Sequence, residues 1–91
     1  MAEPRMFPIY GRFVGDFVPH LVGAFSTDTM REVAAKVAIH SVGRRLPLRP
    51  GATFEVLLDG KVIPEQVTLG ELIVERRLPA LSWFDVRWRE G

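Results

Sequence analysis

The chain has 91 residues, a formal net charge of +1 and no cysteine. This length supports one modest hydrophobic core, so we predict a single domain over residues 1–91. The balanced charge creates no strong field for nucleic acid or anionic lipid, and neither is expected as a partner. The lack of cysteine excludes disulfides, thiolate nucleophiles and cysteine-ligated clusters, and it is typical of a cytoplasmic protein. No apolar run is long enough to span a bilayer.

Two strands in hairpin order are predicted first. The segment from Met6 to Val14 alternates with period two, which indicates a strand with one apolar face, while Tyr10 points the other way. Gly15-Asp16 predicts a tight turn, and Phe17 to Phe25 predicts a second strand antiparallel to the first. Pro19 cannot donate to a strand ladder, so we expect the second strand to lie at the edge of the sheet or to carry a bulge at this position.

The main helix is predicted over about residues 28–42, within the segment Thr27 to Gly43. Apolar or small side chains recur there at the spacing of one buried stripe. They are Met30, Val33, Ala34, Val37, Ala38, Ser41 and Val42. Thr29 with Glu32 fits a capping box, and Gly43 can take the left-handed conformation that ends a helix. Because such a helix is not stable alone, a sheet is expected to cover its stripe.

Three further strands are predicted in the second half of the chain. The segments 53–59 and 61–63 meet at Asp59-Gly60, a strong hairpin signal. Leu81 to Trp88 predicts the last strand. The segment Val67 to Val74 lies between the short strand 61–63 and the last strand. It is short and contains a glycine, which favours a single helical or 3₁₀ turn over a full helix.

The predicted order is strand, strand, helix, strand, short strand, helical turn, strand. This order is the ubiquitin-like β-grasp plan, an α+β fold in which a mixed sheet of four to five strands packs on one main helix. The alternative is the ferredoxin-like split βαβ arrangement, which needs a second full helix. The weak segment 67–74 does not supply one, so the ubiquitin-like domain is the prediction for residues 1–91.

Residues that carry chemistry are not brought together by local spacing. His20 and His40 have no further ligand at metal-binding spacing, and the carboxylates and serines form no catalytic pattern. We therefore predict no catalytic, cofactor-binding or metal-binding residue in this chain. The C-terminal Glu90-Gly91 also differs from the Gly-Gly tail of ubiquitin-like modifiers and sulfur carriers, which makes activation chemistry unexpected.

Surface residues give the better functional candidates. Arg44, Arg45 and Arg49 form a basic patch after the helix, which serves either to dock on an acidic partner or merely to solubilise the chain. Three large side chains are predicted to point away from the helix on the outer sheet face, namely Tyr10, Leu57 and Trp83. These side chains either form an interface or are scattered exposed apolar residues, which are common.

Several runs resemble the small B (gamma) subunit of bacterial toluene monooxygenases, which are carboxylate-bridged diiron multicomponent hydroxylases. The runs are Phe7-Pro8-Ile9, Asp16-Phe17-Val18 and, over residues 28–45, DTMxxVAxKxAxHSxxRR. The match is densest over residues 7–45, and beyond residue 50 it is mainly a match of fold pattern. The resemblance implies a ubiquitin-like subunit packed against the large diiron subunit, with no catalytic residue of its own and with the iron ligands on the other chain.

The leading hypothesis is thus a non-catalytic, cytoplasmic small subunit of a monooxygenase that hydroxylates toluene or a similar hydrocarbon. Its partners would be the large diiron subunit and the companion subunits, with Arg44 and Arg45 in contact with the partner. Two alternatives stay open. One is a free-standing ubiquitin-like module that binds a protein through its outer sheet face, and the other is a sulfur carrier or modifier.

Overall fold

The computed structural model describes residues 5–89 and contains five strands and two helices. The elements in chain order are β1 (Met6–Phe13), β2 (His20–Phe25), α1 (Met30–Ala38), β3 (Phe54–Leu58), β4 (Lys61–Ile63), α2 (Leu69–Arg76) and β5 (Trp83–Trp88). The strands form one sheet in the order β2-β1-β5-β3-β4. β1 and β5 are parallel, whereas the other neighbouring strands are antiparallel. The predicted α+β class and mixed sheet are confirmed.

The core lies between α1 and the inner face of the sheet. Period-two alternation in β1 turns Ile9 and Phe13 inward, and β5 contributes Phe84 and Val86. The helix buries the predicted stripe from Met30 to Ala38 against them. Burial of each large apolar side chain contributes about 1.5–3 kcal/mol, so this contact stabilises both layers.

At Gly11, β1 lies close against α1. A Cβ atom on Gly11 would overlap Cγ2 of Val37 and lie 3.1 Å from its Cγ1. Valine is stiff at χ1, so its side chain cannot turn aside easily. We expect Gly11→Ala to lower the free energy of unfolding by about 1–3 kcal/mol in urea titrations. Combined with Val37→Ala, the loss should be smaller than the sum of the two single losses, and simple additivity would contradict the proposed overlap.

α1 is shorter than predicted. Its capping box at Thr29 and Glu32 forms as expected, but the helix ends at Ala38 with Ile39 as its C-cap. Gly43 has a left-handed φ of +80° but lies in the turns beyond the helix. There the backbone N–H groups of residues 44–46 all converge on the carbonyl of Ser41, so the chain folds into turns in which the helical ladder is not continued. The prediction of a helix to residue 42 is therefore wrong at its C-terminal end.

The prediction of a single turn at 67–74 is also wrong, because α2 is a helix of eight residues. Thr68 and Glu71 form a second capping box, in which each side chain accepts from the other residue's backbone N–H. Leu69 and Leu72 are buried. Capping and burial together offset the low helix propensity of Gly70. In the part of the chain that the structure describes, no helix combines the length and apolar character needed to cross a membrane.

The remaining boundaries differ from the predicted ones by a few residues. β2 is an edge strand as predicted, but it begins at His20, so Pro19 precedes the strand. β5 begins at Trp83, after Leu81 at a φ of +66°. Asp59 and Gly60 both have positive φ, as a tight hairpin turn requires. The displaced start of β2 leaves Asp16 and its neighbours in a loop, where they form the site described next.

Candidate protein-interaction site

A buried carboxylate joins the β1–β2 loop to the segment after α1. The side chain of Asp16 has no solvent exposure. The Ser41 hydroxyl donates to its Oδ2 at 2.6 Å, and Nε of Arg45 lies 2.9 Å from both of its oxygens. The Arg45 guanidinium and then the Ser41 hydroxyl hold the pKa of Asp16 well below its usual value, so the carboxylate stays ionised. This residue anchors both segments.

Arg45 belongs to the same hydrogen-bonded cluster as Asp16 and Ser41, which we call the Asp16 anchor. Its Nη2 donates to the carbonyl of His40 at 2.7 Å and lies 3.0 Å from Nε2 of His20. Since arginine only donates, Nε2 of His20 must accept, which assigns the neutral ring with its proton on Nδ1. Arg45 therefore has a defined role within the fold, and its predicted contact with a partner stays a prediction.

His20 and His40 stack on each other, with ring centroids 4.7 Å apart and an interplanar angle of 23°. Burial lowers the pKa of His20 below its usual value of 6.5, and the charges of His40, Arg45 and Arg44 lower it further, although Asp16 acts in the opposite direction. The fold consequently favours the neutral ring of His20.

Stability should decline as the pH falls below about 6.5. With its pKa lowered in the fold, His20 binds a proton more readily in the unfolded chain, so acid favours unfolding over that range. Melting temperatures measured between pH 7.5 and pH 5 should show this loss. His20→Gln, which keeps an acceptor for Arg45, should have a shallower dependence. An identical slope in the variant would contradict the assignment.

The outer sheet face brings Tyr10 and Trp83 together as register partners on β1 and β5. Trp83 is 44% exposed, and its Nε1 donates to Asp85 at 3.0 Å. The guanidinium of Arg12 lies over the Trp83 ring at 5.7 Å and its Nε is 3.4 Å from Asp85. Trp83 therefore has partners within the chain, whereas Nε of Arg12 is buried without a hydrogen-bond partner among the described residues.

Leu57 does not supply the exposed apolar group that was predicted. It lies on the outer face, beside its register partners Val62 and Asp85, but it is only 9% exposed. The pattern of a single strand identifies the face to which a side chain points, whereas its exposure depends on neighbouring strands. Tyr10 and Trp83 remain partly exposed, and their contact with a partner stays a prediction.

The basic patch of Arg44, Arg45 and Arg49 is divided by the fold. Arg45 pairs with Asp16 at 2.8 Å. Nε of Arg44 donates to the carbonyl of Ile39, and the guanidinium of Arg49 lies over the ring of Trp88. Among residues 5–89, neither Arg44 nor Arg49 has a carboxylate partner within ion-pair distance. Their charges are therefore uncompensated by the described chain.

Sequence reasoning treated Asp16 as a turn residue and missed its role as an anchor. Asp16 and Arg45 are 29 positions apart, so no local spacing connects them. Both belong to the runs that carry the family resemblance, which was the available signal. The sequence pattern predicts the next residue, Phe17, as the start of the second strand, whereas it lies in the β1–β2 loop and is 84% exposed.

The strand order, the parallel β1–β5 pair and the helix across one face define a ubiquitin-like protein. A ubiquitin of Caldiarchaeum subterraneum superposes with a TM-score of 0.66 at 20% identity, covering 96% of this chain and 98% of that one. The ubiquitin-like fold prediction is confirmed. The chain belongs to the toluene-4-monooxygenase system protein B (TmoB) family, whose model matches residues 6–88.

Relatives within this family are subunits of oxygenases. The chain is 54% identical over 86 residues to the alkene monooxygenase oxygenase component subunit gamma of Xanthobacter autotrophicus, covering 93% of this chain and 98% of that protein. It is 44% identical over 45 residues to the toluene-4-monooxygenase hydroxylase component subunit gamma of Ectopseudomonas mendocina. This match covers 50% of this chain and 54% of that protein. A chain of the toluene 4-monooxygenase HD complex with the inhibitor 4-bromobenzoate superposes with a TM-score of 0.80 at 31% identity, covering 93% and 100%. The family resemblance is confirmed.

Proposed function

We propose that this chain is the non-catalytic small (gamma) subunit of a multicomponent diiron monooxygenase that acts on toluene or a similar hydrocarbon. The observation that carries the proposal is 54% identity to an alkene monooxygenase gamma subunit over nearly its whole length. Superposition on a chain of a toluene 4-monooxygenase complex supports it independently. The subunit would act in the cytoplasm with the large subunit and its companions.

The residues of the chain support an indirect role. A diiron centre needs several carboxylate and histidine ligands around one site. Within residues 5–89, no three or more Asp, Glu or His side chains come together in such a group. The buried carboxylate Asp16 is fully engaged by Ser41 and Arg45. We propose that the large subunit holds the diiron centre and that this chain acts by binding.

The subunit contributes to the hydroxylase by covering part of the large subunit. Its folded state is held by one core and by the Asp16 anchor, so it presents a rigid surface. Because the chain would bind the folded large subunit, its binding would stabilise the folded state of that subunit by mass action. The helices of the large subunit that hold the metal would then be kept in register, which is how a chain without catalytic groups supports turnover.

Co-expression tests the proposal directly. The large and companion subunits, with an affinity tag on the large one, are produced with and without this chain. We expect the chain to co-purify in a fixed ratio and the complete complex to melt at a higher temperature than the complex that lacks it. A chain that elutes as a free monomer, with no effect on the other subunits, would contradict the proposal.

A free-standing binding module is the second candidate, favoured by the partly exposed Tyr10 and Trp83 on the outer sheet face. In that case, Trp83→Ala should abolish binding to a partner that is not an oxygenase subunit. The sulfur-carrier alternative concerns Glu90-Gly91, which lie outside the described residues. Mass spectrometry of the expressed chain checks for an adenylate or thiocarboxylate at Gly91.

A further inference from the structure

We propose that the chain docks on the large subunit through the end of the fold where the β1–β2 loop meets the segment after α1. We name this the loop-end surface and define it by Phe17, Ile39, Arg44 and Leu48. The inference rests on the proposed function and adds the docking surface and the partner's chemistry. The partner offers an apolar area bordered by carboxylates.

The loop-end surface exposes unusually large apolar side chains. Phe17 is 84% exposed, Leu48 69% and Ile39 65%. Single exposed apolar residues are common, but several on adjoining segments are typical of an interface. These segments do adjoin, because Asp16 directly precedes Phe17 and binds Ser41 and Arg45, which lie between Ile39 and Leu48 in the chain.

The surface is also held in place before any partner binds. The buried Asp16 ties the two segments together. Beyond α1, the N–H of Gly43 donates to the carbonyl of Leu46 at 2.7 Å, and Leu48 lies against Gly43, where an added Cβ would be 3.5 Å from its Cδ2. A preformed surface loses little conformational entropy on binding, which favours affinity.

The charge of the loop-end surface indicates the partner's chemistry. Arg44 is exposed, and among the described residues neither it nor Arg49 has a carboxylate within ion-pair distance. The acidic residue at this end, Asp16, is buried and neutralised by Arg45. The surface is therefore apolar with a positive border. Carboxylates at the border of the large subunit's site would complement it and speed association.

The outer sheet face is the competing surface. It also exposes apolar side chains, among them Met6 and Leu21, while some of its other side chains have partners within the chain. Trp83 bonds to Asp85 and lies under the guanidinium of Arg12, while Arg87 pairs with Glu55. Docking there would require these contacts to be rearranged. Phe17 is 84% exposed, more than any large apolar side chain of the outer face, where Met6 reaches 67%, so Phe17 is the side chain that gains most from being covered.

Binding to the tagged hydroxylase that lacks this chain tests the inference. The purified chain is titrated onto it as wild type and as Phe17→Ser, Leu48→Ser and Arg44→Glu. The matched controls are Trp83→Ala on the outer face and Val74→Ser on α2. Val74 is 79% exposed, close to the 84% exposure of Phe17. Because the substituted side chains are exposed, circular dichroism and melting temperature should match the wild type.

We expect Phe17→Ser to weaken binding about 30-fold, as loss of a central apolar contact does. Arg44→Glu should weaken it about tenfold at low salt and less at high salt. Both controls should stay within about twofold, as is usual for residues outside the central contacts. Wild-type affinity in all three loop-end variants, or a loss with Trp83→Ala as large as with Phe17→Ser, would overturn the inference.

Two further outcomes are distinct. If the isolated chain dimerises and Phe17→Ser makes the dimer dissociate, a second copy of the chain occupies the surface and the inference is overturned. If the wild-type chain does not bind the hydroxylase at all, the proposed function fails and this assignment fails with it. Loss confined to the loop-end variants supports both.

Discussion

Asp16→Asn is expected to lower the melting temperature by on the order of 10 °C or more. The asparagine has nearly the same shape but no charge, so Arg45, whose side chain is 35% exposed, loses the carboxylate that is fully buried beneath it. The amide can accept from Ser41 or from Arg45, but its NH₂ group then faces a donor. Removal of one member of a buried ion pair is among the most destabilising polar changes.

Circular dichroism melting at pH 7.5 measures the effect, and Asp59→Asn is the matched control. Asp59 is exposed at the hairpin turn with a φ of +54°, a conformation that asparagine tolerates well. The control should therefore melt as the wild type does. If Asp16→Asn also melts within a few degrees of the wild type, Asp16 is not an anchor.

Phe13→Ala is expected to lower the free energy of unfolding by about 3–5 kcal/mol. Phe13 is 1% exposed at the centre of the core. Its ring meets Phe54 at 5.7 Å and Trp88 at 5.6 Å between centroids, both edge-on. Alanine would remove these aromatic contacts and leave a cavity that the rigid sheet cannot close. Urea unfolding of the purified chain measures the loss.

Phe17→Ala is the matched control for Phe13→Ala, because it makes the same chemical change four positions later. The Phe17 side chain is almost fully exposed, so its removal should change the free energy of unfolding by less than about 0.5 kcal/mol. Binding to the hydroxylase should fall instead. Equal losses of stability in the two variants would contradict the placement of the two rings.

The family resemblance and the anchor occupy the same residues. The runs that predicted the family contain Asp16, Ser41 and Arg45, and the fold joins these three side chains into one buried cluster. The same cluster positions Phe17 and Arg44 at the surface. A family signature that reads as a partner-contacting motif is thus in part the internal support of a candidate contact surface.

Local patterns were sufficient for the elements and the fold class. The alternation in β1, the stripe and capping box of α1 and the turn at Asp59-Gly60 all act over a few residues, so they can be recognised in the chain itself. The prediction was wrong at α2, because shortness and a glycine argued against a helix and the capping box at Thr68 and Glu71 was not recognised.

The features that local patterns do not predict come from contacts between residues that are far apart in the chain. The buried state of Leu57 and the role of Asp16 each depend on groups from another element. Arg44 and Arg45 are adjacent and chemically identical, yet only Arg45 forms an ion pair within the described chain. Local sequence cannot distinguish them, because the difference comes from a carboxylate 29 positions away that becomes a neighbour only after the sheet and helix have packed.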